Sequence, residues 1–221
     1  MRRLNKAVQF CALPVVLAFA APAAAEPVTV VALGDSLTAG YGLPEGQGFV
    51  PQLQAWLEGQ GIAAEIVNAG VSGDTTAGGL ARLDWALSEG TDAMIVALGG
   101  NDLLRGIPPA ASRANLAAIL TEVAEARGLP VLVIGLEAPG NYGPAFQEAF
   151  DAMYPELAAE YGALHEDSFL GPLVTELDAA TARQRYMQAD GIHPNREGVG
   201  VIVEALGPSV AELVARAGQN R

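Results

Sequence analysis

Short apolar runs alternate with amphipathic helical stripes along nearly the whole chain, and that alternation limits the fold more than any other feature of the sequence. Val28 to Leu33, Ala64 to Ala69, Ala93 to Leu98 and Val131 to Leu136 have the length and apolar content of buried strands. Ala163 to Glu166 reads as a short fifth. Between them, apolar residues recur at helical spacing: Phe49, Leu53, Trp56 and Leu57; Thr76, Leu80, Leu83 and Leu87; Leu116, Ile119, Leu120 and Val123. Phe146, Phe150, Met153, Tyr154, Leu157 and Tyr161 follow, with Pro155 expected to kink their helix. Val199, Ile202, Val203, Leu206, Val210 and Leu213 mark a last helix, with a bend expected at Pro208. Asp74 or Thr75 is a natural N-cap for the second helix, and Gly59 and Gly61 close the first. Strands alternating with helices predict an α/β fold whose parallel sheet is covered on both faces. The 221 residues suffice for one such domain.

The N-terminus has a different character. Met1 to Lys6 is basic, Ala7 to Ala21 is almost wholly apolar, and Pro22-Ala23-Ala24-Ala25 supplies an Ala-x-Ala pattern before Glu26. These features predict a signal peptide over residues 1–25 and a single domain over 26–221. The apolar run is short for a bilayer span, so no stable membrane insertion is expected once the signal is removed. Cys11, the only cysteine, lies in this segment. The remaining chain then has no thiolate nucleophile, disulfide or cysteine-ligated metal. A formal net charge of −13 disfavours phosphate backbones, so nucleic acid is not an expected partner.

The first strand runs into Gly34-Asp35-Ser36-Leu37-Thr38-Ala39-Gly40-Tyr41-Gly42. Gly-Asp-Ser is ordinary turn composition. The stretch lacks the spacing of a phosphate loop. It also lacks the second glycine of a Gly-x-Ser-x-Gly elbow, because Thr38 stands there. Yet right-handed crossovers bring the ends of the first three strands to one edge, where open α/β sheets place their ligands. Those ends carry Ser36, Gly70 and Asn101.

A base for Ser36 is available in Asp190-Gly191-Ile192-His193-Pro194-Asn195. Three residues of separation let the carboxylate hold imidazole Nδ1 while Nε2 accepts a serine proton. A serine hydroxyl is a weak nucleophile without such help. Acyl transfer also needs donors for a developing oxyanion. The Gly70 N–H, unobstructed by a Cβ, the Asn101 side-chain amide and the Ser36 N–H are candidates. Taken singly, Gly70 reads as a turn glycine, Asn101 and Asp102 as helix caps, and the Asp190–His193 pair as a self-bonded loop. Their joint placement at strand ends is what points to chemistry.

With these blocks in hand, the chain resembles the SGNH hydrolases, also called the GDSL family. Gly34-Asp35-Ser36-Leu37, Asn68-Ala69-Gly70, Gly99-Gly100-Asn101-Asp102 and Asp190 to Asn195 match its four blocks in order. Gly40-Tyr41-Gly42 and Pro139-Gly140-Asn141-Tyr142-Gly143 are similar to small periplasmic bacterial enzymes described as acyl-CoA thioesterase, lysophospholipase and arylesterase. The resemblance implies a flavodoxin-like three-layer α/β/α sandwich with a mostly parallel five-stranded sheet. It implies Ser36, Asp190 and His193 as catalytic residues, and Ser36, Gly70 and Asn101 as the oxyanion hole. It implies Asn141 and Tyr142 beside the acyl site and a small acyl ester or thioester as substrate. No cofactor is expected, no metal because the chain offers no cluster of ligand residues at the needed spacing, and a monomer is expected. Two alternatives stay open: a carbohydrate O-acetyl esterase, and an inactive binding protein on the same scaffold. His165, flanked by Glu166 and Asp167, reads as a strand-end histidine, and the Phe146, Phe150 and Tyr154 stripe as core.

Overall fold

The computed structural model describes residues 26–175 and 177–220; the expected signal segment, residues 1–25, lies outside the described residues. Five strands form one sheet: β1 (Val28–Gly34), β2 (Ala64–Gly70), β3 (Ala93–Ala97), β4 (Val131–Ile134) and β5 (Leu164–Glu166). Their order is β2-β1-β3-β4-β5, and every pairing is parallel. The path reverses between β1 and β3, so a crevice opens above the ends of these strands.

The helices are α1 (Ser36–Ala39), α2 (Phe49–Gly59), α3 (Thr76–Ala81), α4 (Leu83–Ala86), α5 (Gly100–Leu104), α6 (Pro109–Leu120), α7 (Pro144–Tyr161), α8 (Ala179–Tyr186) and α9 (Arg196–Gln219). A π-helical turn, Thr121–Ala126, extends α6. Both faces of the sheet are covered, α2 and α9 packing together on one and α3, α6 and α7 on the other. The interior strands β1, β3 and β4 are apolar but for Thr29, because both of their faces are covered; Val30, Leu33, Met94, Leu132 and Ile134 are all buried. α9 is apolar enough over its 24 residues to match a bilayer span, but half of that surface lies inside the fold.

The edge strand β2 is guarded. Gln54 of α2 donates from Nε2 to the Ala64 carbonyl at 3.0 Å and accepts from the Ile66 N–H at 3.0 Å. The Gly70 N–H donates to Asn68 Oδ1 at 2.9 Å. Side chains thus occupy backbone groups that would otherwise offer a template to another strand.

Three expectations are modified. The stripe from Thr76 to Leu87 is two short helices, broken at Arg82, whose φ of −112° and ψ of 13° leave the helical region. Two helices without a clear apolar stripe, α5 and α8, escape the periodic pattern. Phe150 and Tyr154 are core, whereas Phe146 is only half-buried and bridges to Tyr142, its ring 4.8 Å away. α7 and α9 continue through Pro155 and Pro208.

Candidate active site

Ser36 owes its position to its neighbours. The Asp35 carboxylate, buried at the end of β1, accepts the Leu37 N–H at 3.0 Å and caps α1. Ser36 is then the first helical residue, with an N–H that has no intrahelical acceptor. Burial raises the Asp35 pKa, opposed by the hydrogen bond from Leu37.

The proposed base arrives from the other end of the chain, on the loop between α8 and α9. His193 Nε2 lies 2.8 Å from Ser36 Oγ, and Nδ1 lies 2.7 Å from Asp190 Oδ2. The tautomer that fits carries its proton on Nδ1, donates it to the carboxylate and leaves Nε2 to accept from the serine. Asp190 Oδ1 is occupied as well, accepting the Ile192 N–H at 2.9 Å and the His193 N–H at 3.1 Å. The hydrogen bond from the Ile192 N–H, with those from His193, holds the Asp190 pKa down to about 2. The carboxylate is therefore charged at neutral pH and stabilises an imidazolium.

Gln188 fastens this loop to the serine turn. Its Nε2 donates to the Tyr41 carbonyl at 2.8 Å and to the Pro194 carbonyl at 3.0 Å, while its N–H donates to the His193 carbonyl at 2.8 Å. The Tyr41 ring stands against the His193 ring, with centroids 4.7 Å apart. Asn195 ends the loop by capping α9 through the Gly198 N–H at 3.0 Å.

The oxyanion side differs from the expectation at one glycine. The Gly70 N–H is spent on Asn68, and Gly70 does not line the cavity beside Ser36. A side chain at Gly70 would collide with the Ala39 backbone, so this glycine serves the close approach of α1 to β2. Gly73, three residues on, lines the cavity with Ser36 and Asn101. Its φ of +89° suits glycine, and no acceptor among the described residues takes its N–H. Asn101 sits where expected. Its Nδ2 donates to the Asp74 carbonyl at 2.9 Å and more weakly to Asp35 Oδ2 at 3.3 Å. Asp102 is fully buried and caps α3, not its own helix: it accepts the Thr76 N–H at 2.8 Å, Thr76 Oγ1 at 2.6 Å and Ser112 Oγ at 2.8 Å.

The cavity beside Ser36 and His193 holds about 290 Å³ and has mostly apolar walls, including Leu103, Leu104, Leu136, Leu170 and Ile192. Asn141 and Tyr142 stand outside this lining. Tyr142 rests against Phe146 and above Gly106, just past the end of α5, which does line it. His165 lies on the far strand β5, its Nδ1 3.5 Å from Asp167 Oδ1 and its pKa lowered by burial. No group of three or more metal-ligating side chains occurs among the described residues.

Sequence reasoning missed Gly73, Gln188 and Arg82. The signal for Gly73 was present in Gly73-Asp74-Thr75, a glycine next to a helix cap and so nearer the crevice than a glycine still within the strand. Gln188 acts on backbone carbonyls, and Arg82 on the Gly34 carbonyl as well as on Asp74; bonds to backbone carbonyls leave no trace in residue spacing.

Comparison with known proteins identifies the family and the fold. A family model described as GDSL-like lipase/acylhydrolase matches residues 32–201. "Esterase TesA" of Pseudomonas aeruginosa is 42% identical over 187 residues, covering 84% of this chain and 89% of that protein. "Thioesterase 1/protease 1/lysophospholipase L1" of Escherichia coli is 37% identical over 201 residues, covering 90% of each. A crystal structure of TesA superposes with a TM-score of 0.74 at 40% identity, over 84% of this chain and 99% of that one.

Proposed function

The chain belongs to the GDSL-like lipase/acylhydrolase family, and on that premise we propose that it is an exported serine hydrolase that cleaves acyl esters and thioesters through an acyl-enzyme. The observation that carries this is the continuous line from Asp190 through His193 to Ser36, at 2.7 and 2.8 Å, beside an apolar cavity.

Ser36 Oγ attacks the acyl carbonyl as His193 Nε2 takes its proton. The ionised Asp190 stabilises the resulting imidazolium. Negative charge on the carbonyl oxygen meets the Ser36 and Gly73 N–H groups and the Asn101 amide. The long Asn101 contact to Asp35 is the one given up to the oxyanion, while the shorter one to Asp74 keeps the amide aimed. A preorganised donor of this kind is worth roughly 3–4 kcal/mol in the transition state. The imidazolium then protonates the leaving alcohol or thiol, and water deacylates Ser36 by the same route.

The apolar walls support acyl chains over acetyl groups, and so favour this activity over carbohydrate O-acetyl ester hydrolysis. The basic and apolar residues of 1–25 support export to a bacterial periplasm. The guarded β2 edge supports a monomer.

The test is hydrolysis of p-nitrophenyl esters from acetate to laurate, and of acyl-thioesters, by wild type and Ser36→Ala. Wild type is expected to act with an optimum beyond acetate, and Ser36→Ala to lose about 10⁴-fold or more in kcat. Equal rates in the two proteins would overturn the mechanism. An optimum at acetate would favour the deacetylase.

A further inference from the structure

We propose that Arg82 is a positioning residue for the oxyanion donors, tying the end of β1 to the loop that carries Gly73 and aligns Asn101. The inference rests on the Ser36 mechanism above and concerns what holds its donors in place.

Arg82 stands where the expected helix breaks, and its side chain is only 16% exposed. Its Nε donates to Asp74 Oδ2 at 2.5 Å, and its Nη2 donates to the Gly34 carbonyl at 2.9 Å. Gly34 is the last residue of β1, two before Ser36. The same carbonyl accepts the Val71 N–H at 3.0 Å, which joins it to the start of the loop. Asp74 follows Gly73 directly, and its own carbonyl is the 2.9 Å acceptor of the Asn101 amide. One guanidinium therefore connects the segments that bear all three donors.

This arrangement does more for geometry than for stability. Other arginine–carboxylate pairs, at Arg113, Arg127, Arg185 and Arg216, lie at the surface with 36–55% of the arginine side chain exposed. Arg82 is withdrawn from water, and its Nη1 is buried with no hydrogen-bond partner. Desolvating an ion pair and leaving a donor unmet both cost free energy. What is obtained is a rigid fork reaching two fixed acceptors on different segments, a task that an ammonium point charge performs poorly. The loop has other ties. Arg105 Nη2 donates to the Gly73 carbonyl at 2.9 Å from an exposed position, and Asp102 holds Thr76 at the loop's far end. Among the described residues, Arg82 alone links the loop's carboxylate to the strand that delivers Ser36. Donors aimed at an oxyanion lose their effect when displaced by a fraction of an ångström, and a shift of about 1 Å can cost about 100-fold.

The experiment compares wild type with Arg82→Lys, Arg82→Ala and the isosteric Asp74→Asn. It reads kcat and KM on p-nitrophenyl butyrate, the inhibition constant of a trifluoromethyl ketone that forms a hemiketal with Ser36, and thermal unfolding. Expected for Arg82→Lys is a fall in kcat of about 10- to 100-fold with KM within threefold. Ketone affinity should fall in parallel, because the hemiketal oxyanion needs the same donors. Asp74→Asn should show a smaller loss of the same pattern, and millimolar guanidinium should restore part of the activity of Arg82→Ala. The proposal is overturned by a folded Arg82→Lys with kcat within twofold of wild type. It is equally overturned by a kcat loss that leaves ketone affinity unchanged. Should Arg82→Lys fail to fold, Asp74→Asn decides by the same two criteria. An inert wild type would instead sink the hydrolase mechanism itself, so the two failures are distinguishable.

Discussion

The two halves of the site are built on opposite principles, and two aspartates show it. Asp102, on the oxyanion side, is fully buried and accepts three hydrogen bonds that join α3, α5 and α6. Asp190, on the base side, has 37% of its side chain exposed and bonds only within its own loop. The oxyanion side is an extension of the sheet: the proposed donors Ser36, Gly73 and Asn101 lie two, three and four residues past the ends of β1, β2 and β3. The base side is a short irregular loop suspended between α8 and α9, held in register by the Gln188 amide. One aspartate maintains architecture and the other electrostatics, so their loss should register in different measurements.

Asp190→Asn gives the largest separation. It leaves the loop's size and much of its hydrogen bonding intact but removes the charge and favours the wrong imidazole tautomer. A fall of about 10⁴-fold in kcat is expected, with an unfolding midpoint near that of wild type. Ester hydrolysis and a thermal melt, run side by side, check both parts. Asp102→Ala should do the reverse. Three buried donors are left without an acceptor, and about 3 kcal/mol of stability should be lost. Urea unfolding measures that loss, and kcat per folded molecule should stay within tenfold of wild type. If Asp102→Ala instead cost more in kcat than in stability, the division of labour drawn here would fail. Gln188→Ala probes the weaker joint. Two side-chain contacts at about 1 kcal/mol each are removed, and roughly a tenfold drop in kcat is expected as the His193 loop loosens from Tyr41. Unchanged kinetics would mean that the Gln188 N–H bond to the His193 carbonyl and the Asn195 cap of α9 suffice to hold the loop.

The same contrast explains what could be read from the sequence. The α/β architecture was legible because interior strands buried on both faces must be apolar along their whole length. The nearness of Asp190 to His193 was legible from their three-residue spacing, and that of Ser36 only from its place at the end of a strand, since the Ser36–His193 contact spans 157 residues. Which glycine lines the cavity was not legible. Gly70 and Gly73 lie three residues apart in the same connection, and both need to be glycine, one for contact with the Ala39 backbone and one for a positive φ. What separates them is that the Gly70 N–H is taken by Asn68 and that Gly73 alone of the two lines the cavity. Arg82 reads in sequence as a polar residue on an amphipathic helix, and nothing local announces that its fork reaches across to Gly34. Asn141 and Tyr142 were expected at the acyl site, but neither is among the residues that line the cavity, and Tyr142 stands over Gly106, just past the end of α5.

The contact between Ser36 and His193 spans 157 residues of chain. At synthesis rates of about 5–20 residues per second, the serine leaves the ribosome roughly 8–30 s before the histidine. Throughout that interval the nascent chain holds a serine turn but no base, because the loop bearing His193 has not yet been made. On the proposed mechanism, hydrolytic competence is conferred by the last quarter of the polypeptide, and a copy that stops short of His193 should be silent.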